Sequence, residues 1–493
     1  MKTTVRPVRI GWARRDITPD GPCELAGQYY RRVSNGVRDP LYATALAIES
    51  AGAGGRCKQV VMVALDIVWV PASLLTALRR RVAHRLKDLD TRFIVVNAIH
   101  THNAPTLGPG LGWLKPVEGL MTGDEYTQQV VARMTEAVEE AWRRRQTARV
   151  GFALGQARVG HCRRAWYADG TAEMYGRTDR PDFIGLEAGE DSGVDMMFCW
   201  DGRGRLAGVV VNVACPSQVM EATYRVTADV MGEARRQLQE RFGSGLFVLP
   251  QISAAGDQSP RDLARNYRGA EPDMWHESGA VELGRRIAGA VAEGYERARE
   301  SRRSRIEFGH VVKRLKLPVW RATAEEYRRA TEALGRLQSC EPKDPDSPRA
   351  AFNRFLAETL ANEAGGGPGP YDSKLHDFVL MKVHKAVITR HRRQDTMRHV
   401  PVELHVLRLG DAVLVTNPFE LFLDYGSRIR ARSPARQTFL VQLACGAEGY
   451  LPTGRAVARG GYGATMCSAT VGPEGGDVLV EASVKAIRAL WKR

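Results

Sequence analysis

No apolar run in the 493-residue sequence is long enough to cross a membrane. The longest such tract, Val60 to Leu78, is broken by Asp66 and Pro71 and runs straight into Arg79, Arg80 and Arg81, the pattern of a buried strand followed by a helix start. Met1 to Ile10 carries cationic residues but is not followed by the roughly 7 to 15 apolar residues of a signal peptide, so a cytoplasmic protein without stable membrane insertion is expected. Cysteine is sparse and scattered, at 23, 57, 162, 199, 215, 340, 445 and 467, with no CxxC spacing. This excludes a zinc-ribbon pattern and argues against a disulfide scaffold, leaving mostly buried, reduced thiols. There is no internal repeat and no low-complexity tail. Acidic residues are the minority charge, 56 Asp+Glu against 71 Lys+Arg, giving a formal net charge of +15. The basic clusters, such as Arg143-Arg144-Arg145 and Arg390-His391-Arg392-Arg393, lie on or beside amphipathic helical patterns. No helix-turn-helix, zinc finger or RNP-like motif accompanies them, so nucleic acid is not the expected partner, while an anionic substrate or surface stays open.

What is present is a folded α/β composition, 44% hydrophobic and 26% charged, which excludes extensive disorder. Apolar, β-branched runs predict strands at Val8 to Trp12, Val60 to Leu65, Phe93 to Ile99, Val209 to Val213, Leu246 to Pro250, Val402 to Arg408, Ala412 to Thr416 and Thr438 to Leu443. Helical patterns cover Ala72 to Asp88, Asp124 to Arg145, Asp229 to Arg241, Ser278 to Arg299 and Pro418 to Arg432. Asp229 and Ser278 are placed to cap their helices. A polar helical stretch from Lys316 to His399 reads as an insertion bounded by Pro/Gly loops, closed by Gly365-Gly366-Gly367-Pro368-Gly369-Pro370.

Polar residues gather where the predicted strands end, the usual position of sites on α/β sheets. After Phe93 to Val96 comes Asn97-Ala98-Ile99-His100-Thr101-His102-Asn103-Ala104-Pro105. If the strand continued, His100 and His102 would share a face and suit a metal, although a His-x-His pair is often only a polar strand end. Gly256-Asp257-Gln258-Ser259-Pro260 follows another strand and offers a hydroxyl, or simply a turn. Asn417-Pro418-Phe419-Glu420 opens a predicted helix, where a carboxylate is favoured by the dipole in any case. Tyr450 and Tyr462 sit in glycine-flanked loops. Cys215, ending the strand at Val213, can be a ligand, a nucleophile or a small buried hydrophobe.

Taken in order, these segments resemble the N-terminal catalytic domain of the neutral/alkaline non-lysosomal ceramidases. The opening Gly11-Trp12-Ala13-Arg14-Arg15-Asp16-Ile17-Thr18-Pro19 looks like that family's first strand, and the likeness runs to Val471-Gly472-Pro473-Glu474-Gly475-Gly476. It covers nearly the whole chain except the helical insertion. One interleaved catalytic domain over residues 1–493 is therefore expected, with a mixed β-sheet core, surrounding helices and no C-terminal immunoglobulin-like domain.

The resemblance implies a zinc-dependent amidase acting through metal-activated water. It places His100, Glu420 and Tyr450 as zinc ligands, His102 beside the substrate, Tyr462 and Arg163 as stabilisers of the transition state with Arg164 as the rival arginine, and Ser259 as the essential serine. The sequence departs from the family at one ligand: where a second histidine is expected, Val213-Ala214-Cys215-Pro216-Ser217 stands. Three readings follow, in order of preference. Cys215 replaces the imidazole, since thiolate is a good zinc ligand; or His102 or His161 completes the set; or there is no catalytic metal. The expected substrate is a small molecule, N-acyl or carbohydrate-derived, and not a membrane ceramide. Metal-dependent C–O cleavage of a carbohydrate, or a metal-free binding protein on the same fold, are the alternatives, and a homo-oligomer is compatible with all of them.

Overall fold

The computed structural model describes residues 5–51, 57–109, 117–266, 274–364 and 376–492. The closing loop of the predicted insertion lies outside them. Three sheets form the frame. In the first, β1 (Arg6–Asp16), β2 (Tyr42–Ala51) and β3 (Cys57–Leu65) pair antiparallel, and β4 (Ile94–Ala98) joins β3 in parallel. A parallel neighbour requires a crossover, and α1 (Ala72–Arg85) provides it. A second helix, α2 (Gly123–Arg143), lies on β1 and β2 so closely that a Cβ at Gly11 would stand 2.0 Å from the Ala141 carbonyl oxygen.

The second sheet joins β5 (Arg149–Gln156), β6 (Gly193–Trp200), β7 (Leu206–Val213) and β8 (Phe247–Ile252), with β7 and β8 parallel across α3 (Asp229–Phe242). The helix α4 (Glu277–Glu300) packs against α3 and β5. In the third sheet β9 (Phe308–Pro318) pairs antiparallel with β10 (His399–Leu409), and β11 (Ala412–Thr416) follows. Between β9 and β10 run α5 (Ala324–Ser339), α6 (Ala351–Ala364) and α7 (Asp377–Arg393), so the polar helical stretch is carried on one strand pair. Its first residues, Lys316 to Pro318, belong to the strand. A two-residue strand β12 (Glu420–Leu421) precedes α8 (Leu423–Arg432), after which β13 (Gln437–Val441) pairs in parallel with β11. The chain then gives β14 (Tyr450–Leu451) and α9 (Pro473–Trp491).

Each sheet thus contains one parallel pair, and buried amides tie the carboxyl ends together. The Asn97 side chain donates to the Pro250 carbonyl at 3.1 Å, and Asn212 to that of Leu440 at 2.6 Å. An apolar core runs through the first two sheets and reaches the third; a second lies between the third sheet, α8 and α9.

All eight predicted strands are present within a few residues. Four long ones escape sequence reading: β2, β5, β6 and β9. β2 is alanine-rich and buries Thr44, Glu49 and Ser50 among its apolar residues; its extended form is imposed by β1 and β3 on either side. Three local expectations are corrected. Pro418 to Leu421 is not helical, because Glu420–Leu421 pairs with Tyr450–Leu451. Asp229 does not cap its helix; at φ +55° its carboxylate instead accepts from the backbone N–H of Val219, Met220 and Val230. Nor does Ser278, since the helix begins at Glu277 after an uncapped His276.

Candidate active site

The first sheet delivers the two histidines. The β4 strand stops at Ala98, and His100 takes a left-handed backbone, φ +62°. Strand alternation therefore does not align the pair, yet the rings meet, with 3.4 Å between their Nε2 atoms. His100 Nδ1 lies 2.8 Å from the Val68 carbonyl oxygen. A carbonyl only accepts, so Nδ1 carries the proton and Nε2 presents a lone pair. That Nε2 faces Glu420 Oε2 at 3.4 Å. Two acceptors facing each other in a buried site call for a proton or a cation between them.

The third sheet delivers the carboxylate and a phenol. Glu420 and Tyr450 are partners in the parallel β12–β14 bridge, which sets their side chains together. The Arg163 guanidinium donates to the Tyr450 hydroxyl at 2.9 Å and to the Gly256 carbonyl at 2.8 Å. Tyr462 stands edge-on to Tyr450, ring centroids 5.5 Å apart, and Tyr29 edge-on to Tyr462. Burial opposes charge on His100, but Glu420 outweighs it and raises the histidine pKa; burial likewise opposes ionisation of Glu420, and His100 and Arg163 pull its pKa down. Burial pushes the Tyr462 hydroxyl up to about 12.

The second sheet supplies a group that sequence reading missed. Glu221, buried, lies 2.9 Å from His102 Nδ1 through one oxygen and 2.7 Å from the Arg261 guanidinium through the other. Arg261 is fully buried over the Trp275 ring at 3.5 Å. Against the cost of burial, Arg261 and His102 hold the Glu221 carboxyl down to about 2. For His102, burial wins over Glu221 and lowers the pKa. Arg32, itself buried, donates to the backbone carbonyls of Ala26, His102, Glu221 and Thr223, pinning this arrangement. No local motif flags Glu221; Arg261 follows directly on the Gly256-Asp257-Gln258-Ser259-Pro260 segment.

Glu221, with Gln28, Tyr29, Tyr175 and Gln218, lines a cavity of about 50 Å³, and Phe355 and Thr359 of α6 form part of its wall; His100 and Glu420 lie behind its lining. His102, Arg163, Tyr450 and Tyr462 all line it. Ser259 does not: it is buried beside His161, and its Oγ accepts from the Arg261 backbone N–H at 3.0 Å. Arg164 turns away, bonding to Glu187 and to the carbonyls of Gly460 and Tyr462. His161 pairs with Glu190 at 2.9 Å.

Cys215 does not join the metal-competent group. Its thiol points at the Val159 carbonyl oxygen, 3.0 Å away, within the apolar core, and burial pushes its pKa well up, which keeps it protonated and a poor ligand. Among the described residues, His100, Cys215 and Glu420 do not bring their donor atoms within 4.8 Å of one another. The donors present that suit a cation are His100 Nε2, the Glu420 carboxylate and the Tyr450 hydroxyl.

Three sheets whose carboxyl ends close on one polar, aromatic-lined cavity define an α/β protein with an enzyme-type site. Neutral ceramidase of Pseudomonas aeruginosa is 24% identical over 265 residues, which is 52% of this chain and 37% of that relative. The crystal structure of neutral ceramidase from Pseudomonas aeruginosa matches with a TM-score of 0.69 at 19% identity, covering 98% of this chain and 74% of that one. A ceramidase complexed with C2 matches with a TM-score of 0.67 at 18% identity, covering 99% and 75%. No family model matches the chain. The fold is that of the neutral ceramidases, which is what the ordered sequence segments resemble.

Proposed function

We propose that the chain is a metal-dependent hydrolase cleaving the amide bond of a small, polar N-acyl compound, with zinc as the metal and the whole chain acting as one catalytic unit. The observation that carries this reading is the buried His100 Nε2 lone pair facing the Glu420 carboxylate at 3.4 Å, on a neutral-ceramidase fold. His100, Glu420 and Tyr450 would hold the zinc ion, which when bound supplies Lewis-acid polarisation of a carbonyl.

Water adds across the amide, its hydroxyl to the acyl carbon and its proton to the leaving nitrogen. His102, oriented by Glu221 at Nδ1, takes the proton at Nε2 and returns it to the nitrogen. Tyr462 stays protonated at neutral pH and donates a hydrogen bond to the developing oxyanion, while Arg163 adds positive charge beside it. Ser259 acts from behind the cavity, by fixing the Arg261 backbone. A volume of about 50 Å³ and a lining of Gln28, Gln218, Glu221 and five tyrosines favour a short, hydroxyl- or amide-bearing substrate over a long acyl chain. The same lining is what favours the second reading, C–O cleavage of a carbohydrate-type substrate.

Zinc-loaded and chelator-treated protein assayed against short N-acyl amides and aryl glycosides tests both. Hydrolysis of the amides, lost on chelation and restored by zinc, is expected. A zinc-replete preparation inactive on every amide overturns the amidase reading, and metal-dependent glycoside cleavage puts the second in its place.

A further inference from the structure

Among the described residues, one cluster of metal-ligating side chains outside the cavity remains without a role. Glu403 and His405 lie two residues apart on β10, hence on the same face of the strand. Cys445 comes to them from the loop before β14, and one donor atom from each of the three lies within 4.8 Å of the other two. His405 and Cys445 are buried. Cys445 holds a left-handed backbone, φ +60°, that a non-glycine residue adopts only at a cost, and its N–H is tied to the Val96 carbonyl at 2.8 Å.

The neighbours are those of a ligand set. His310 Nδ1 lies 3.1 Å from the Gln59 carbonyl oxygen, so its Nε2 is an acceptor, and His405 Nδ1 stands 3.0 Å from it. His405 Nδ1 therefore carries a proton, and Nε2–H donates to Glu403 Oε1 at 2.7 Å, a proton that a bound cation would displace. Arg79 grips both Glu403 oxygens, at 3.0 and 2.6 Å, which orients the carboxylate. Ligating histidines donate through their other nitrogen and ligating carboxylates are themselves hydrogen-bonded, and both conditions are met here.

We propose that Glu403, His405 and Cys445 form a second metal site, for a zinc-type divalent transition metal, separate from the catalytic cavity. Thiolate, imidazole and carboxylate together select such an ion over magnesium or calcium. The site would fasten the loop that leads to Tyr450 onto β10, while the Cys445 backbone N–H ties the same loop to β4, the strand that leads to His100, so it would steady the tyrosine-bearing segment without touching substrate.

Loading the full chain with cobalt(II) tests this without any assay of activity. A sulfur-to-cobalt charge-transfer band in the near ultraviolet is expected in the wild type, in Cys215→Ser and in His100→Ala, and is expected to be lost in Cys445→Ser with about one metal fewer per chain. Should Cys445→Ser fail to fold, X-ray absorption of the zinc-loaded wild type gives the same decision, with a sulfur shell expected at about 2.3 Å. Absence of the band and of the sulfur shell in the wild type, or loss of the band in Cys215→Ser with survival in Cys445→Ser, overturns the proposal. Failure of the amidase reading leaves these outcomes unchanged.

Discussion

Glu221 carries two buried partners at once, His102 and Arg261, and its removal would strand a guanidinium with no exposure to water. Glu221→Gln is expected to cost about 3 kcal/mol in stability, measured by urea denaturation, because breaking one half of a buried ion pair leaves the other uncompensated. The sign of the pH dependence follows from a folded-state pKa of about 2 against an ordinary value of 4.5. Between these values the unfolded chain binds the proton and the folded one does not. The stability gap between wild type and variant should be full above pH 4.5 and close as the pH falls towards 2. Cys215 offers the opposite case. Its thiol serves the Val159 carbonyl, so Cys215→Ala should leave the metal content unchanged and cost only about 1 kcal/mol, read by metal analysis and thermal unfolding. At this scale the sequence named His100, His102, Arg163, Glu420, Tyr450 and Tyr462, and the structure brings all six to one place. Glu221 was illegible, since nothing in its neighbourhood in the chain says that a histidine 119 residues earlier lies 2.9 Å away.

Among the elements, the two-residue parallel bridge β12–β14 matters most for the site, because it alone sets Glu420 beside Tyr450. Gly256 makes room for it: a Cβ there would lie 2.3 Å from the Glu420 carbonyl oxygen. Gly256→Ala should therefore displace the bridge, destabilise the protein by roughly 1–3 kcal/mol and weaken metal retention, which denaturation and dialysis against chelator would measure. The helix α6 has a different part. It reaches the cavity through Phe355, so a stretch that reads as a peripheral insertion forms part of the wall of the site. Phe355→Ala is expected to shift preference towards larger acyl groups by about tenfold in relative kcat/KM across a chain-length series. Helix-period and strand-period patterns located most elements, but β12 is too short to have a period, and the stretch holding α6 reads as polar helix, which gives no sign that Phe355 walls a cavity.

Over the whole molecule, basic residues outnumber acidic ones by 15, and many of the arginines sit in ion pairs. Arg143 and Arg85 both reach Glu139, at 2.6 and 3.1 Å, Arg144 pairs with Glu140, and Arg328 spans Glu325 and Glu332. Exposed pairs of this kind add little to stability, and no nucleic-acid-binding sequence motif accompanies the basic residues. Retention on duplex DNA should therefore be independent of sequence and vanish by about 200 mM salt, which a salt titration on two unrelated duplexes would show. Among the described residues, no helix is long and apolar enough to cross a membrane.

The sequence by itself determined the class of fold, eight of the strands and the segments that carry reactive side chains, because hydrophobic period and strand-end chemistry are local properties of the chain. Tertiary structure alone decided how those side chains are used. It turned Cys215 into the core and Arg163, not Arg164, into the cavity, supplied Glu221 and Arg261, walled the site in part with α6, and gathered Glu403, His405 and Cys445 elsewhere. Each of these outcomes depends on contacts between residues far apart in the chain, and their distances are fixed by how three sheets pack at their carboxyl ends.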